Sequence, residues 1–360
     1  MGIFLLSKLI GGDVWMNKKR IVYYDLLSVV AIFCVLWMHC NGIVHTYANT
    51  AAWKQSLVVE VIAYWAVPIF FMLSGATLMS YRNKYTTKTY FTKRIQKTLI
   101  PLLAWSIIIF IWKYCTNRLA FEPSSFRAII NAFFASEIEP VYWFFMPLFA
   151  VYMCIPVLSL LTPPSARKIL SYMLVMALIT ISICPLFFNL LGLTWNNALS
   201  FQLTGGYVVY VLLGYFLSTS ELSKSKRLLL YTAGILAAVL RYGYTYIMSV
   251  RSGSLDRTFW GYTNITTVFL ASAIFIFFKY TNWDFLYRHK WIDKLVSQVS
   301  SCTFGIYLVH MIVITYVVEL TGVGVSRFLW RTVGAVGVFI ISFIITFLLK
   351  QIPLIKKIVP

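Results

Sequence analysis

Residues 21–41 read IVYYDLLSVVAIFCVLWMHCN, and this stretch decides the class of the fold. A helix needs about 20 predominantly apolar residues to cross a bilayer, and this run supplies them. It carries Asp25 near one end and His39 near the other. Ionisable side chains are costly in hydrocarbon, so those that stay there face a cavity, a partner or a substrate path. Both are functional-site candidates on that ground. On a helix the interval puts them on one face but about 21 Å apart along the axis. They form no direct dyad, and each needs its own partner.

The rest of the chain extends this reading. Of its 360 residues, 60% are hydrophobic, 18% aromatic and 12% charged. Soluble domains carry about 25% charged residues, and half that amount leaves too little polar surface to coat a soluble fold. The chain reads as an all-α integral membrane protein, a bundle around a central cavity. Ten apolar runs are expected to span, centred on 21–41, 57–80, 99–114, 141–161, 169–190, 204–219, 228–250, 262–280, 301–320 and 328–349. The third and sixth are short.

The net charge of +20 would suit a nucleic-acid binder, but its distribution points to the membrane instead. Of 31 Lys and Arg, 22 fall in the N-terminal segment, in every second connection and at the C-terminus; eight fall in the alternate connections, and Arg241 lies inside the seventh run. Cytoplasmic loops carry the excess of Lys and Arg. Ten crossings with both termini inside follow, with no nucleic-acid partner.

No soluble domain is evident. Residues 1–19 read as an N-terminal extension ahead of Arg20, with Met16 the more ordinary start; 20–350 is the transmembrane domain and 351–360 a cytoplasmic tail. The first apolar stretch, Ile3 to Ile10, is short and interrupted by Lys8, unlike a cleavable signal. Six scattered cysteines show no CxxC or Cys/His spacing, and no metal site is expected. Between 118 and 140, Phe126, Ile129, Ile130, Phe133 and Phe134 recur at helical spacing, predicting a short interfacial helix within Ser124 to Glu137. Pro68, Pro101, Pro147, Pro156 and Pro185 sit where they would kink spans.

Further candidates are polar groups in apolar surroundings. His310 lies mid-span three residues after Tyr307, and the two share a helix face; such a pair binds a polar substrate or makes an interhelical hydrogen bond. In Val67-Pro68-Ile69-Phe70-Phe71-Met72-Leu73-Ser74-Gly75, the proline frees a carbonyl and Ser74-Gly75 admits a close neighbour. The inward stretch Arg82 to Lys97 holds six cations among Tyr81, Tyr85, Tyr90 and Phe91. It suits lipid headgroups or a phosphorylated ligand.

Taken in order, five motifs resemble acyltransferase family 3 of membrane O-acyltransferases, especially the group that includes the enterobacterial common antigen O-acetyltransferase. They are Asp25-Leu26-Leu27-Ser28 through His39, Val67 to Gly75, Lys93-Arg94-Ile95 to Pro101, Tyr142-Trp143-Phe144-Phe145 with Tyr152 and Pro156, and Gly305-Ile306-Tyr307-Leu308-Val309-His310. The resemblance implies an enzyme of the bacterial plasma membrane. It would move an acyl group, most simply acetyl, from cytoplasmic acyl-CoA as co-substrate to a hydroxyl of a cell-envelope glycan or lipid-linked sugar. It implies His39 as general base, with Ser74, Trp143, Tyr307 and His310 lining the cavity and Asp25 in support. Lys93, Arg94 and Arg82 would hold the coenzyme A phosphates. One position departs: the family usually has an arginine eleven residues before the histidine, where this chain has Ser28. A cation from another element, a different donor, or loss of the transferase activity would each follow from that serine. A carrier or flippase for a polar or lipid-linked substrate is the competing function, and a structural partner in an envelope complex a third.

Overall fold

A computed structural model describes residues 20–359; the expected 1–19 extension lies outside the described residues. α1 (Val22–Cys40) leads through a 3₁₀ turn, Gly42–His45, to α2 (Ala51–Ala63), which Thr50 caps by accepting from the Trp53 N–H. α3 (Ala66–Leu78) follows after a break at Tyr64-Trp65. Pro68 accounts for the break, because it has no N–H for the Tyr64 carbonyl four residues back.

The basic stretch is largely helical. α4 (Thr87–Arg94) passes through a π-helical turn, Ile95–Leu99, into α5 (Ile100–Cys115). The third span is therefore not short: the helical run from Thr87 to Cys115 has 29 residues. Hydropathy stops at Lys97, but Lys, Arg and Gln are good helix formers, so the helix continues beyond the apolar part. The widened turn sits just ahead of Pro101. α6 (Phe126–Phe134), capped by Ser125, is the short amphipathic helix predicted there. It turns Ala132 inward and leaves Phe126 and Phe134 79% and 66% exposed.

A 3₁₀ segment, Pro140–Phe144, opens α7 (Phe145–Leu158). α8 (Arg167–Ala177) runs through a π-helical stretch to α9 (Cys184–Leu190), with Pro185 at the junction. α10 (Val208–Thr219) and α11 (Lys224–Ser252) follow, the latter ending on Gly253 at a left-handed φ of 68°. Then come α12 (Ile265–Tyr280), α13 (Asp284–Arg288), α14 (Lys290–Thr321) and α15 (Ala335–Leu349). All ten apolar runs are helical. Among the described residues, eight helical runs are long and apolar enough to cross a membrane, while α10 and α12 are shorter apolar helices.

Packing places α1 at the centre, against α2, α3, α12, α14 and α15. Its apolar residues meet those neighbours, while Asp25, Ser28 and His39 face the polar contacts and the cavity between them. α3 and α10 approach through reciprocal glycines: a Cβ on Gly75 would overlap the Val211 carbonyl, and one on Gly214 the Met72 carbonyl. Gly305 of α14 likewise makes room, here for the Thr346 side chain of α15. On the outside, α11 exposes Leu228, Leu229, Ile235, Leu236, Val239 and Leu240, a face suited to lipid tails. The 351–359 segment, read from sequence as part of a cytoplasmic tail, packs against the bundle. Val359 is buried, and Trp105 Nε1 donates to the Ile358 carbonyl at 3.0 Å.

Candidate active site

α1 and α14 build one cavity of about 300 Å³ with help from α2, α3 and the 140–144 segment. His39 is the penultimate residue of α1, and Ile32, Val35 and His39 form one face along the cavity wall. From α14 come Thr303, Phe304 and Tyr307. One turn further, His310 brings its ring within 5.0 Å of the His39 ring, centre to centre. The partner that the sequence required for His39 thus lies near the other end of the chain.

His310 is fully buried, with Nδ1 2.6 Å from the Tyr307 carbonyl oxygen. A carbonyl only accepts, so Nδ1 carries the proton and Nε2 of the neutral ring is an acceptor. Nε2 has no hydrogen-bond partner among the described residues. Nor does any described group hydrogen-bond the His39 ring, which borders the cavity. Tyr307 stacks on His310 with ring centres 5.4 Å apart.

Two reciprocal bonds lock the 140–144 segment onto α14. Tyr307 donates to the Val141 carbonyl, and Tyr142 donates to the Leu308 carbonyl at 2.9 Å. Lys113 pairs with buried Glu139 at 3.0 Å and donates to the Ile138 carbonyl, fixing the approach to the segment. This holds Trp143 at the cavity wall. Trp143 stacks on Tyr262 at 5.5 Å and 19°, and Tyr262 stacks on Tyr64 at 4.4 Å and 12°.

Three polar residues went unassigned in the sequence reading. Glu60 of α2 borders the cavity, is 4% exposed, and has no hydrogen-bond partner for Oε2 among the described residues. Arg241 of α11 is 2% exposed; its guanidinium lies 3.3 Å from the Tyr64 ring centre and 3.5 Å from Thr267 Oγ1. His45, in the turn after α1, stands edge-on to Trp260 at the cavity rim. Burial and the nearby charge of Arg257 hold His45 below the ordinary histidine range. The signal for Glu60 was present: it is a lone carboxylate in an apolar run.

Other expected site residues lie elsewhere. Ser74 is outside the cavity lining; its Oγ donates to the Phe70 carbonyl at 2.9 Å beside the Gly75 packing contact. Asp25 pairs with Arg20 and accepts from Ser300 Oγ at 2.8 Å, while Arg20 bridges to Asp293 at 2.6 Å. This network pins the start of α1 to the start of α14. Ser28 donates to the Asp25 carbonyl and lies 3.1 Å from Ser300 Oγ, so hydroxyls occupy the site of the usual arginine. In the basic stretch, Lys93 lies 4.1 Å over Tyr85 and Arg94 5.4 Å over Tyr152. Arg82 donates to Ser159 Oγ and to the Pro156 carbonyl, bracing the end of α7.

The site therefore unites His39, His310, Tyr307 and Trp143 with Glu60, away from the basic end of α1. Comparison with known proteins bears on what such a site does. No curated protein and no solved structure gives a match. A family model described as an acyltransferase domain, that of acyltransferase family 3, matches residues 21–347. The match spans the bundle from the edge of α1 into α15, and carries the family but not the common-antigen group within it. With both histidines inside the matched region and the helices long enough to span, the chain belongs to acyltransferase family 3 and is a multi-pass membrane acyltransferase.

Proposed function

We propose that the protein moves an acyl group, most simply acetyl, from cytoplasmic acyl-CoA to a hydroxyl of a cell-envelope glycan or lipid-linked sugar. It works in the bacterial plasma membrane through ten crossings, with both termini inside. The segregation of 22 of 31 Lys and Arg to one side supports the orientation. The observation that carries the reading is the pair of histidine rings 5.0 Å apart at one end of the cavity. His39 stands about 26 Å along α1 from its basic end, so donor and acceptor can approach from opposite faces.

His39 is the general base. His310, protonated at Nδ1, packs its ring against His39 and fixes that ring at the cavity wall, where a His39 nitrogen is free to act. That nitrogen takes the acceptor hydroxyl proton as the oxygen attacks the thioester carbonyl carbon. The C–S bond breaks, the imidazolium returns the proton to the thiolate, and an ester and free thiol result. Positioned acid–base catalysis of this kind contributes about 10²–10⁴-fold. Lys93 and Arg94, held over aromatic faces rather than by carboxylates, supply charge for the donor phosphates, with Arg82 in support.

The test uses proteoliposomes of the full chain with labelled acetyl-CoA and envelope glycan, reading base-labile ester. H39A should abolish ester formation above background. Full retention would overturn the assignment of His39, and with it the reaction path given above.

A further inference from the structure

Glu60 presents a problem in physical chemistry that neither the fold nor the proton transfer explains. Among the described residues bordering the cavity it is the one with a formal charge, His39 and His45 being taken as neutral. Buried carboxylates are expected to be paired or hydrogen-bonded. Yet Oε2 has no partner among the described residues, and no Lys or Arg nitrogen there lies within 4.0 Å of the carboxylate. Arg241, the cation that acts on it, is turned over the Tyr64 ring and toward Thr267.

The neighbours of Glu60 suggest what would satisfy it. Trp143, the end ring of the Trp143–Tyr262–Tyr64 stack, borders the same cavity with Tyr262 behind it at 19°. The apolar C–H face of a pyranose can lie on such a surface while its hydroxyls point sideways to polar groups, the usual division between apolar wall and a few placed acceptors. At about 300 Å³ the space suits a terminal sugar unit rather than a long chain.

We infer that Glu60, Trp143 and Tyr262 form the acceptor subsite, and that Glu60 selects an uncharged saccharide and rejects one bearing a carboxylate. The inference rests on the acyl-transfer reading for the word acceptor, though the binding site can be tested without transfer. A sugar hydroxyl donates to Oε2. With Glu60 ionised, as at the mildly alkaline pH used for the test, a uronate in the same pose brings a second negative charge beside it in a poorly screened site, where like charges repel strongly.

The experiment measures binding of N,N′-diacetylchitobiose and of digalacturonate to the full-length chain in nanodiscs by saturation-transfer NMR titration at mildly alkaline pH. Wild type should prefer the neutral disaccharide by about 10-fold or more, and E60Q should narrow the preference to within about 3-fold. E60D, which keeps the charge, should keep the preference, and Y262L should weaken the neutral sugar. Equal binding of the two sugars to wild type, no binding of either, or an unchanged ratio in E60Q would overturn the proposal. Should E60Q not yield monodisperse protein, a lost preference in E60D would overturn it equally. If wild-type transfer is absent while the preference holds, the proposed function fails and the subsite stands. If transfer proceeds and E60Q leaves the ratio alone, the subsite alone fails.

Discussion

His310 shows how one backbone bond can set side-chain chemistry. Its Nδ1–H is held by the Tyr307 carbonyl, so the nitrogen left over can only accept while the ring is neutral. Replacing His310 by Ala should lower kcat about 10–100-fold and leave the acceptor KM unchanged, because it removes orientation rather than binding. Unchanged kcat in initial-rate assays would reduce the ring contact to packing. His45 makes a second residue-level expectation. Burial and Arg257 depress its folded-state pKa, so below its usual value of about 6.5 the unfolded chain binds the proton more readily. This contribution therefore costs stability as pH falls from about 6.5 towards the lower folded-state pKa. The unfolding temperature of wild type should decline more steeply over that interval than that of H45Q, and parallel curves would contradict it.

At the level of elements, proline and glycine positions explain most departures from regular helix. Pro156 offers no N–H to the Tyr152 carbonyl, and the buried Tyr90 hydroxyl donates to that carbonyl at 3.1 Å instead. Tyr90→Phe should cost about 1–3 kcal/mol by leaving the carbonyl unsatisfied. Pro156→Ala in the same chain should recover part of it, since alanine restores the helix's own N–H; thermal unfolding of the single and double variants decides. The α3–α10 contact gives a sharper case. Each glycine faces the other helix's backbone, which cannot withdraw as a flexible side chain would. Gly75→Ala is expected to destabilise by about 1–3 kcal/mol or more. An unshifted unfolding midpoint would mean that the two helices separate easily.

For the whole molecule, charge and chemistry lie at different ends. Lys93 and Arg94 stand near the basic end, whereas His39 closes α1 at the other. Charge reversal at both cations should raise the KM for acyl-CoA at least about 10-fold at low salt, with a smaller effect at high salt as screening grows. Acceptor KM should not move. Equal KM values for acyl-CoA in wild type and the double variant would remove these residues from the donor site.

The membrane class, the helical runs and the family were legible in the residues themselves, because apolar length, cation alternation and short motifs are local properties. Helical spacing also put Ser28 and His39 on one face of α1, and Tyr307 and His310 on one face of α14. What spacing cannot tell is which faces of distant helices meet. That depended on close packing, and it decided that His39 meets His310, that Ser74 serves the α3–α10 contact instead of the cavity, and that Arg82 braces α7. It likewise turned Glu60, an unremarked carboxylate in an apolar run, into the charged residue of the cavity. Composition selects the solvent and periodicity the face, but a site assembled from α1, α2 and α14 exists only once those helices have packed.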